Sequence, residues 1–163
     1  MPHSKEKITH GVTLFTNDRL NITIKNLPKI MYLAKKYLVI ELLKVCDDFI
    51  IKHLPLNKLI LGYDLADLYD RFDLTAKLKE KISENAKKFF ATDGFRECSR
   101  ERLIGILDID QLMCDPKDIF DACIEWAKNA RENCEDDLPE MESIRKQLGE
   151  CLYRIPFYMM SSE

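Results

Sequence analysis

Residues Lys29–Leu54, KIMYLAKKYLVIELLKVCDDFIIKHL, decide the fold, because they predict two short helices folded back on each other. Apolar residues recur at helical spacing in both halves: Ile30, Leu33, Ala34 and Tyr37 in the first, then Leu42, Val45, Cys46, Phe49 and Ile50 in the second. The first period is lost at Leu38-Val39-Ile40. Neither helix buries its apolar stripe alone, so we predict an antiparallel hairpin with a short connection.

The residues before this hairpin predict little regular structure. Residues 1–13 are polar and without a sustained period, so we expect them to be loosely attached. Residues 20–24 alternate apolar and polar side chains and predict one short strand. Asn26 is a good N-cap for the first helix, with Pro28 in its first turn.

The residues after the hairpin predict further helices separated by caps and breaks. Pro55 ends the second helix, and Asn57 caps a third that runs to about Asp70. Its predicted buried stripe consists of Leu61, Leu65, Leu68 and Phe72. Four later helix boundaries are predicted: a start at Thr75, an end at Thr92-Asp93-Gly94, and starts at Ser99 and Asp115-Pro116.

Pro139 predicts the start of a last helix, which Pro156 ends. Trp126 lies at the edge of a wide apolar helix face, so we expect it in the core. The order of elements predicts an all-α array of antiparallel helix hairpins with at most one short N-terminal strand. The last three residues are similar to the cap of a further helix, and we expect the helical domain to be truncated there.

Several segments together resemble the end of a BTB/POZ domain followed by a BACK domain. They are Ala34–Val39, Glu41-Leu42, Cys46-x-x-Phe49-Ile50, Asp70–Leu74, Phe120–Ala127 and Arg145–Pro156, in that order along the chain. The last segment is similar to the subgroup in which a β-sandwich domain follows BACK. Ile40 stands where the family usually has proline, so the kink in the hairpin is less firmly imposed.

The resemblance implies that residues 1–54 hold a flexible N-terminus and the closing BTB elements. Residues 55–163 would be the BACK domain, with the "3-box" helices at about 56–90. It implies a non-catalytic scaffold of a cullin-3 ubiquitin-ligase adaptor that also holds an unknown substrate protein. Dimerisation is expected only with a complete BTB domain. The alternative is an interaction or assembly module without cullin binding, and an enzyme is a distant third.

Composition disfavours several other classes of protein. The net charge of −3 gives no general basic field for nucleic acid, and no apolar run is long enough to span a membrane. Six cysteines without a CxxC pair predict free thiols in a reducing compartment, so we expect a cytoplasmic protein. Phosphate-binding glycine loops and the HExxH and GxSxG motifs are absent, and we predict no cofactor, no metal and no catalytic residue.

The third helix carries the candidate partner contact. Asp64, Asp67, Asp70 and Asp73 spread around the helix instead of converging, so they predict a solvated acidic face and no cation site. Tyr63 lies opposite the predicted buried stripe, with Ile60 at its border. Apolar groups ringed by charge mark partner surfaces, although a lone surface tyrosine is ordinary. We therefore predict partner contact at Ile60, Tyr63, Asp67 and Asp70, which the resemblance places in the 3-box.

Overall fold

The structure, a computed structural model, describes residues 21–134 and 137–157. These residues form nine α-helices and two short 3-10 helices. The α-helices are α1 (Leu27–Lys36), α2 (Ile40–His53), α3 (Leu59–Leu68), α4 (Phe72–Glu84), α5 (Ala86–Phe90), α6 (Asp93–Arg96), α7 (Arg100–Leu107), α8 (Pro116–Glu132) and α9 (Glu140–Leu148). The 3-10 helices are Leu56–Lys58 and Gly149–Arg154. The all-α prediction is confirmed, while the expectations for residues 1–13 and 161–163 lie outside the described residues.

The predicted hairpin is confirmed as α1 and α2, which pack against each other. Leu38 reverses the chain between them with a positive φ of 56°. The Val39 N–H donates to the Ala34 carbonyl at 2.8 Å, so the turn is closed by backbone hydrogen bonds. The connection therefore forms without the proline that Ile40 replaces.

The strand predicted at residues 20–24 is wrong for its described part, since residues 21–26 form coil and a turn. Asn26 closes this turn, because its side-chain oxygen accepts from the Thr23 N–H at 2.7 Å. Its side-chain amide donates to the Asn21 carbonyl at 2.8 Å. Both polar ends of Asn26 are thus used before the helix, and it makes no side-chain cap on α1.

Two of the predicted helix starts are confirmed by cap hydrogen bonds. The Ser99 side chain accepts from the Arg102 N–H, and the Asp115 side chain accepts from the Lys117 N–H. Thr75 is wrong as a cap, because α4 begins at Phe72 and the Thr75 hydroxyl donates to the Arg71 carbonyl inside the helix. Asn57 likewise lies within a 3-10 turn and makes no side-chain cap.

The predicted break at Thr92-Asp93-Gly94 is the start of the short helix α6. Thr92 caps it by accepting from the Phe95 N–H at 3.3 Å. Gly94 lies so close to the preceding 3-10 helix that an added Cβ would be 2.2 Å from the Asn57 carbonyl oxygen. The glycine therefore serves close backbone approach rather than chain reversal.

A continuous hydrophobic core runs from α1 to the C-terminal 3-10 helix. Trp126 is part of this core with 4% of its surface exposed, as predicted. Its indole N–H donates to the Cys98 carbonyl at 2.9 Å, which satisfies the only polar atom of the buried ring. Because the core is continuous, the hairpin α1–α2 and the helices that follow are parts of one packed body.

Candidate functional site

Tyr63, the centre of the predicted contact face, is buried with 4% of its surface exposed. The prediction that it faces solvent is wrong, because α7 covers this side of α3. The Arg102 guanidinium lies over the tyrosine ring at 3.9 Å from its centre. Ile60 is partly buried, so of the four predicted contact residues only Asp67 and Asp70 are exposed.

Arg102 also uses the acidic residues beside Tyr63. Its Nη2 lies 2.7 Å from the Asp64 carboxylate and 2.8 Å from the Asp67 carboxylate, and 13% of its side chain is exposed. Burial opposes the charge of Arg102, but hydrogen bonds to the two carboxylates outweigh it and raise its pKa. The aromatic and acidic groups that predicted a partner surface are therefore occupied by another helix of the same chain.

The buried stripe predicted for α3 is correct at Leu65 and wrong at its end. Leu68 and Phe72 are 67% and 79% exposed. The helix stops at Leu68, and the Arg71 N–H donates to the Ala66 carbonyl at 2.8 Å, with Asp70 at a positive φ of 55°. This turn breaks the helical period between Leu68 and Phe72, so their spacing no longer places them on the buried face.

Asp70 belongs to a contact between the α3–α4 turn and α1. Its carboxylate is 3.7 Å from the Lys35 ammonium, which also donates to the Tyr69 carbonyl at 3.5 Å. The predicted contact residue Asp70 thus lies beside the hairpin and is not part of the Arg102 cluster.

The hairpin end groups five exposed apolar side chains at the turn between α1 and α2. We use this name for Tyr32, Leu33, Tyr37, Leu38 and Ile40, of which 52%, 38%, 67%, 79% and 55% respectively is exposed. The Lys36 ammonium lies 5.8 Å from the ring centre of Tyr32 and 5.6 Å from that of Tyr37. No acidic residue occurs between Asn21 and Ile40, and the Asp70 carboxylate of the α3–α4 turn lies beside Lys35 on the same hairpin.

The sequence prediction placed Leu33 and Tyr37 on the buried stripe of the first helix, and this is wrong. The buried residues of α1 are Leu27, Met31 and Ala34. Their spacing of four and then three residues is also helical, so the sequence of α1 is compatible with two different buried faces. The choice between the two phases depends on which face α2 covers, which periodicity in α1 alone does not determine.

Close packing fixes the hairpin to the helix array. An added Cβ at Gly62 of α3 would be 2.9 Å from Ile50 and 3.1 Å from Leu54, so the glycine lets α3 approach α2. Lys81 of α4 donates to the carbonyls of Ile51 and Leu54 at 2.7 and 3.3 Å. These carbonyls lie at the C-terminal end of α2, where a cation is favourable.

Possible metal ligands and cysteine thiols bear on whether the described residues could carry chemistry. These contain no group of three or more candidate ligands that could hold a metal ion. Burial raises the pKa of the Cys46, Cys98 and Cys123 thiols to about 12, which disfavours the nucleophilic thiolate. Among the described helices there is also no long apolar segment of the kind that crosses a bilayer.

Comparison with known families agrees with the helical array. The family model described as BACK, for BTB And C-terminal Kelch, matches residues 59–150, which is more than half of the chain. This chain belongs to the BACK family. The BACK match begins with α3 and extends into the C-terminal 3-10 helix.

Curated relatives extend the similarity to the hairpin before the BACK region. Human BTB/POZ domain-containing protein 3 is 28% identical over 141 residues, which cover 85% of this chain and 27% of the relative. Rat BTB/POZ domain-containing protein 9 is 33% identical over 102 residues, or 62% of this chain and 17% of the relative. Human BTB/POZ domain-containing protein 6 is 26% identical over 148 residues, or 90% and 27%. The chain thus spans about a quarter or less of these relatives.

Proposed function

We propose that this chain is the scaffold portion of a cullin-3 ubiquitin-ligase substrate adaptor, and that the hairpin end is its cullin contact. Family membership supports an adaptor. The single observation that carries the location is the exposure of Tyr37, Leu38 and Ile40 at the tip of α1–α2. In the adaptor, residues 1–54 close a BTB domain, and residues 55–163 form the BACK spacer toward an unknown substrate protein.

The chemistry of the hairpin end suits a protein partner. Exposed aromatic side chains bury much area at a small cost in conformational entropy, and they are enriched in interface centres. Tyr32 and Tyr37 supply such groups, and Leu38 adds an aliphatic side chain that is 79% exposed. The α3 helix supplies no exposed aromatic group, because Arg102 covers Tyr63.

The scaffold does no chemistry in this proposal, since ubiquitin transfer is carried out by partner enzymes. Its contribution is to hold the cullin-binding end and the substrate-binding end on one packed body. The continuous core from α1 to the last 3-10 helix supports such a role, because a body packed throughout transmits a fixed spacing. Dimerisation with a complete BTB domain and a cytoplasmic location are further parts of the proposal.

The size of the surface predicts how the chain behaves alone. A stable interface buries about 800 Å² on each partner, and the short hairpin end supplies only part of this area. We therefore expect weak or undetectable binding of the cullin-3 N-terminal region to the 163-residue chain. A longer product with an upstream BTB domain should bind tightly.

Calorimetric titration of the cullin-3 N-terminal region into both products tests the proposal. In the longer product, Tyr37→Asp plus Leu38→Asp should weaken binding by at least about tenfold while leaving the melting temperature unchanged. Tyr153→Asp is the matched control, since Tyr153 is 91% exposed in the C-terminal 3-10 helix. Unchanged affinity of the double variant would remove the hairpin end from the contact. Absence of binding by the unaltered longer product would favour an interaction module that does not engage cullin-3.

A further inference from the structure

Arg71 and Asp47 join the hairpin to the helix array through a shielded ion pair. The Arg71 Nη2 is 2.5 Å from Asp47 Oδ2, and Nε is 3.1 Å from the same oxygen. Only 23% of the Arg71 side chain and 19% of the Asp47 side chain is exposed. These hydrogen bonds raise the pKa of Arg71 despite its burial. The guanidinium therefore binds one carboxylate through two of its nitrogens, which fixes orientation as well as distance.

The two partners stand on rigid but separate elements. Asp47 lies in the middle of α2, and Arg71 is the N-cap residue of α4. The Arg71 backbone is itself fixed, because its N–H donates to the Ala66 carbonyl and its carbonyl accepts from the Thr75 N–H. The ion pair thus connects the hairpin, which carries the exposed contact residues, to a turn whose backbone is held by its own hydrogen bonds.

A second contact lies on the same side of the hairpin. Lys35 near the end of α1 reaches the Tyr69 carbonyl and the Asp70 carboxylate of the α3–α4 turn. This contact is exposed and long, with 46% of the Lys35 side chain and 71% of the Asp70 side chain accessible. Solvent screening makes it weaker than the shielded Arg71–Asp47 pair. Of the two charged contacts between the hairpin and the α3–α4 turn, the Arg71–Asp47 pair therefore contributes more to their relative orientation.

We propose that Arg71 and Asp47 are positioning residues, whose ion pair holds the hairpin end at one orientation to the helix array and so presents it to the partner. This inference rests on the proposed function only for the identity of the partner. Loss of the pair leaves Gly62 packing and the Lys81 cap in place, so the chain stays folded. The hairpin then opens more often, and the contact residues spend less time in the binding orientation.

The buried thiol of Cys46 reports hairpin opening without any partner. Cys46 is fully buried in α2 beside Asp47, while Cys98 and Cys123 are buried among the later helices. Iodoacetamide labelling of the 163-residue chain at pH 8, read by mass spectrometry, measures each thiol separately. Arg71→Ala and Asp47→Ala should each accelerate labelling of Cys46 by about tenfold, relative to Cys98 and Cys123, because each removes charged hydrogen bonds.

The two single variants control for direct effects on the thiol. Asp47 raises the pKa of Cys46 and Arg71 lowers it, so the two substitutions change its intrinsic reactivity in opposite directions. Loss of Arg71 removes an interaction that lowers the pKa of the thiol, so faster labelling in Arg71→Ala can come only from opening. The double variant Asp47→Arg plus Arg71→Asp should restore slow labelling. Arg96→Ala, which removes an exposed ion pair with Asp93 and a hydrogen bond to the Ala91 carbonyl, should leave Cys46 labelling unchanged. Equal acceleration of labelling at Cys46, Cys98 and Cys123, or no acceleration, would show that the Arg71–Asp47 ion pair does not hold the hairpin.

Titration of the cullin-3 N-terminal region into the longer product with these substitutions tests the link to binding. Each single variant should weaken binding by about tenfold or less, as the fraction in the binding orientation falls, and the charge reversal should restore it. Hairpin opening with unchanged affinity would overturn the positioning role. If the unaltered product does not bind, the proposed function fails, while the labelling pattern still decides whether Arg71 and Asp47 hold the hairpin.

Discussion

Tyr63 on α3 and Tyr37 at the hairpin end both have a cation near the ring, yet their environments are opposite. Tyr63 is 4% exposed beneath Arg102, whereas Tyr37 is 67% exposed beside Lys36. The first aromatic group is used to join two helices of the chain, and the second is left uncovered. An aromatic residue ringed by charge is therefore a sign of contact, but its partner can be another helix of the same protein.

The two cations explain part of this difference. The planar Arg102 guanidinium stacks on Tyr63 and binds Asp64 and Asp67 through its edge, so one side chain satisfies an aromatic face and two carboxylates. Lys36 is a point charge without a carboxylate partner among the described residues, and its distance of 5.6 Å from the Tyr37 ring is long. The arginine cluster is a closed internal contact, and the lysine leaves Tyr37 available.

Aspartate substitutions at the two tyrosines should give the largest difference. Tyr63→Asp removes the buried ring and adds a third carboxylate to the cluster around Arg102, so it should destabilise the chain by about 3–5 kcal/mol, enough to unfold it. Leu65→Asp should do the same, since Leu65 is 5% exposed. Tyr37→Asp should change stability by less than about 0.5 kcal/mol, because its charge stays in water. Thermal and denaturant unfolding of the three variants measures this directly.

A folded Tyr63→Asp variant with a near-normal melting temperature would show that α7 does not cover α3. The comparison would then reverse, and the α3 face of Ile60, Tyr63, Asp67 and Asp70 would return as the contact surface. Unfolding by Tyr37→Asp would instead show that the hairpin end is buried in solution.

Gly94 and Gly105 differ in how closely neighbouring atoms approach the position of an added Cβ. Gly94→Ala should cost about 1–3 kcal/mol, because its Cβ would be 2.2 Å from the Asn57 backbone carbonyl. Gly105→Ala in α7 is the matched control, since its Cβ would lie an ordinary 3.8 Å from the Tyr63 hydroxyl. Alanine also has the higher helix propensity, so Gly105→Ala should stabilise by up to about 1 kcal/mol. Similar stabilities of the two variants would contradict the close contact at Gly94.

Local signals in the sequence predicted much of the fold. Asp115-Pro116 and Ser99 mark helix starts because a side-chain oxygen there satisfies backbone donors within a few residues. The loss of period at Leu38-Val39-Ile40 likewise predicted the hairpin turn. Each of these features depends on neighbours along the chain, so the sequence contains the necessary information.

The candidate site was less predictable, because exposure depends on partners distant in sequence. Arg102 is 39 positions from Tyr63, and nothing in either segment indicates that α7 will cover α3. Arg71 and Asp47 are separated by 24 positions and were not distinguished from other surface charges. A search for opposite charges flanking predicted helix boundaries would have placed Arg71 among the candidates, but not its carboxylate partner.

Arg102→Ala should have a moderate effect that tests how firmly the α3 face is closed. The substitution uncovers the Tyr63 ring and leaves Asp64 and Asp67 without their shared cation, and we expect a loss of about 1–2 kcal/mol. Lys128→Ala is the control, because its ion pair with Glu125 is exposed and should contribute little to stability. Equal losses measured by urea unfolding would mean that Arg102 is only another surface charge.

The smallest expected effect is that of reductant, which should leave the melting temperature unchanged. All six cysteines are free, so no disulfide is available to break. Iodoacetamide labelling of the native chain at pH 8 should modify the exposed Cys134 first. Cys46 in α2 and Cys98 beside α8 should react slowly, because burial raises the pKa of both thiols to about 12. The ratio of the two slow rates then compares the regions directly. A faster reaction at Cys46 than at Cys98 in the unaltered chain indicates that α2 exposes its thiol more readily than the helices around Cys98 expose theirs. A large loss of stability on adding reductant would instead require a disulfide and a different arrangement of these helices.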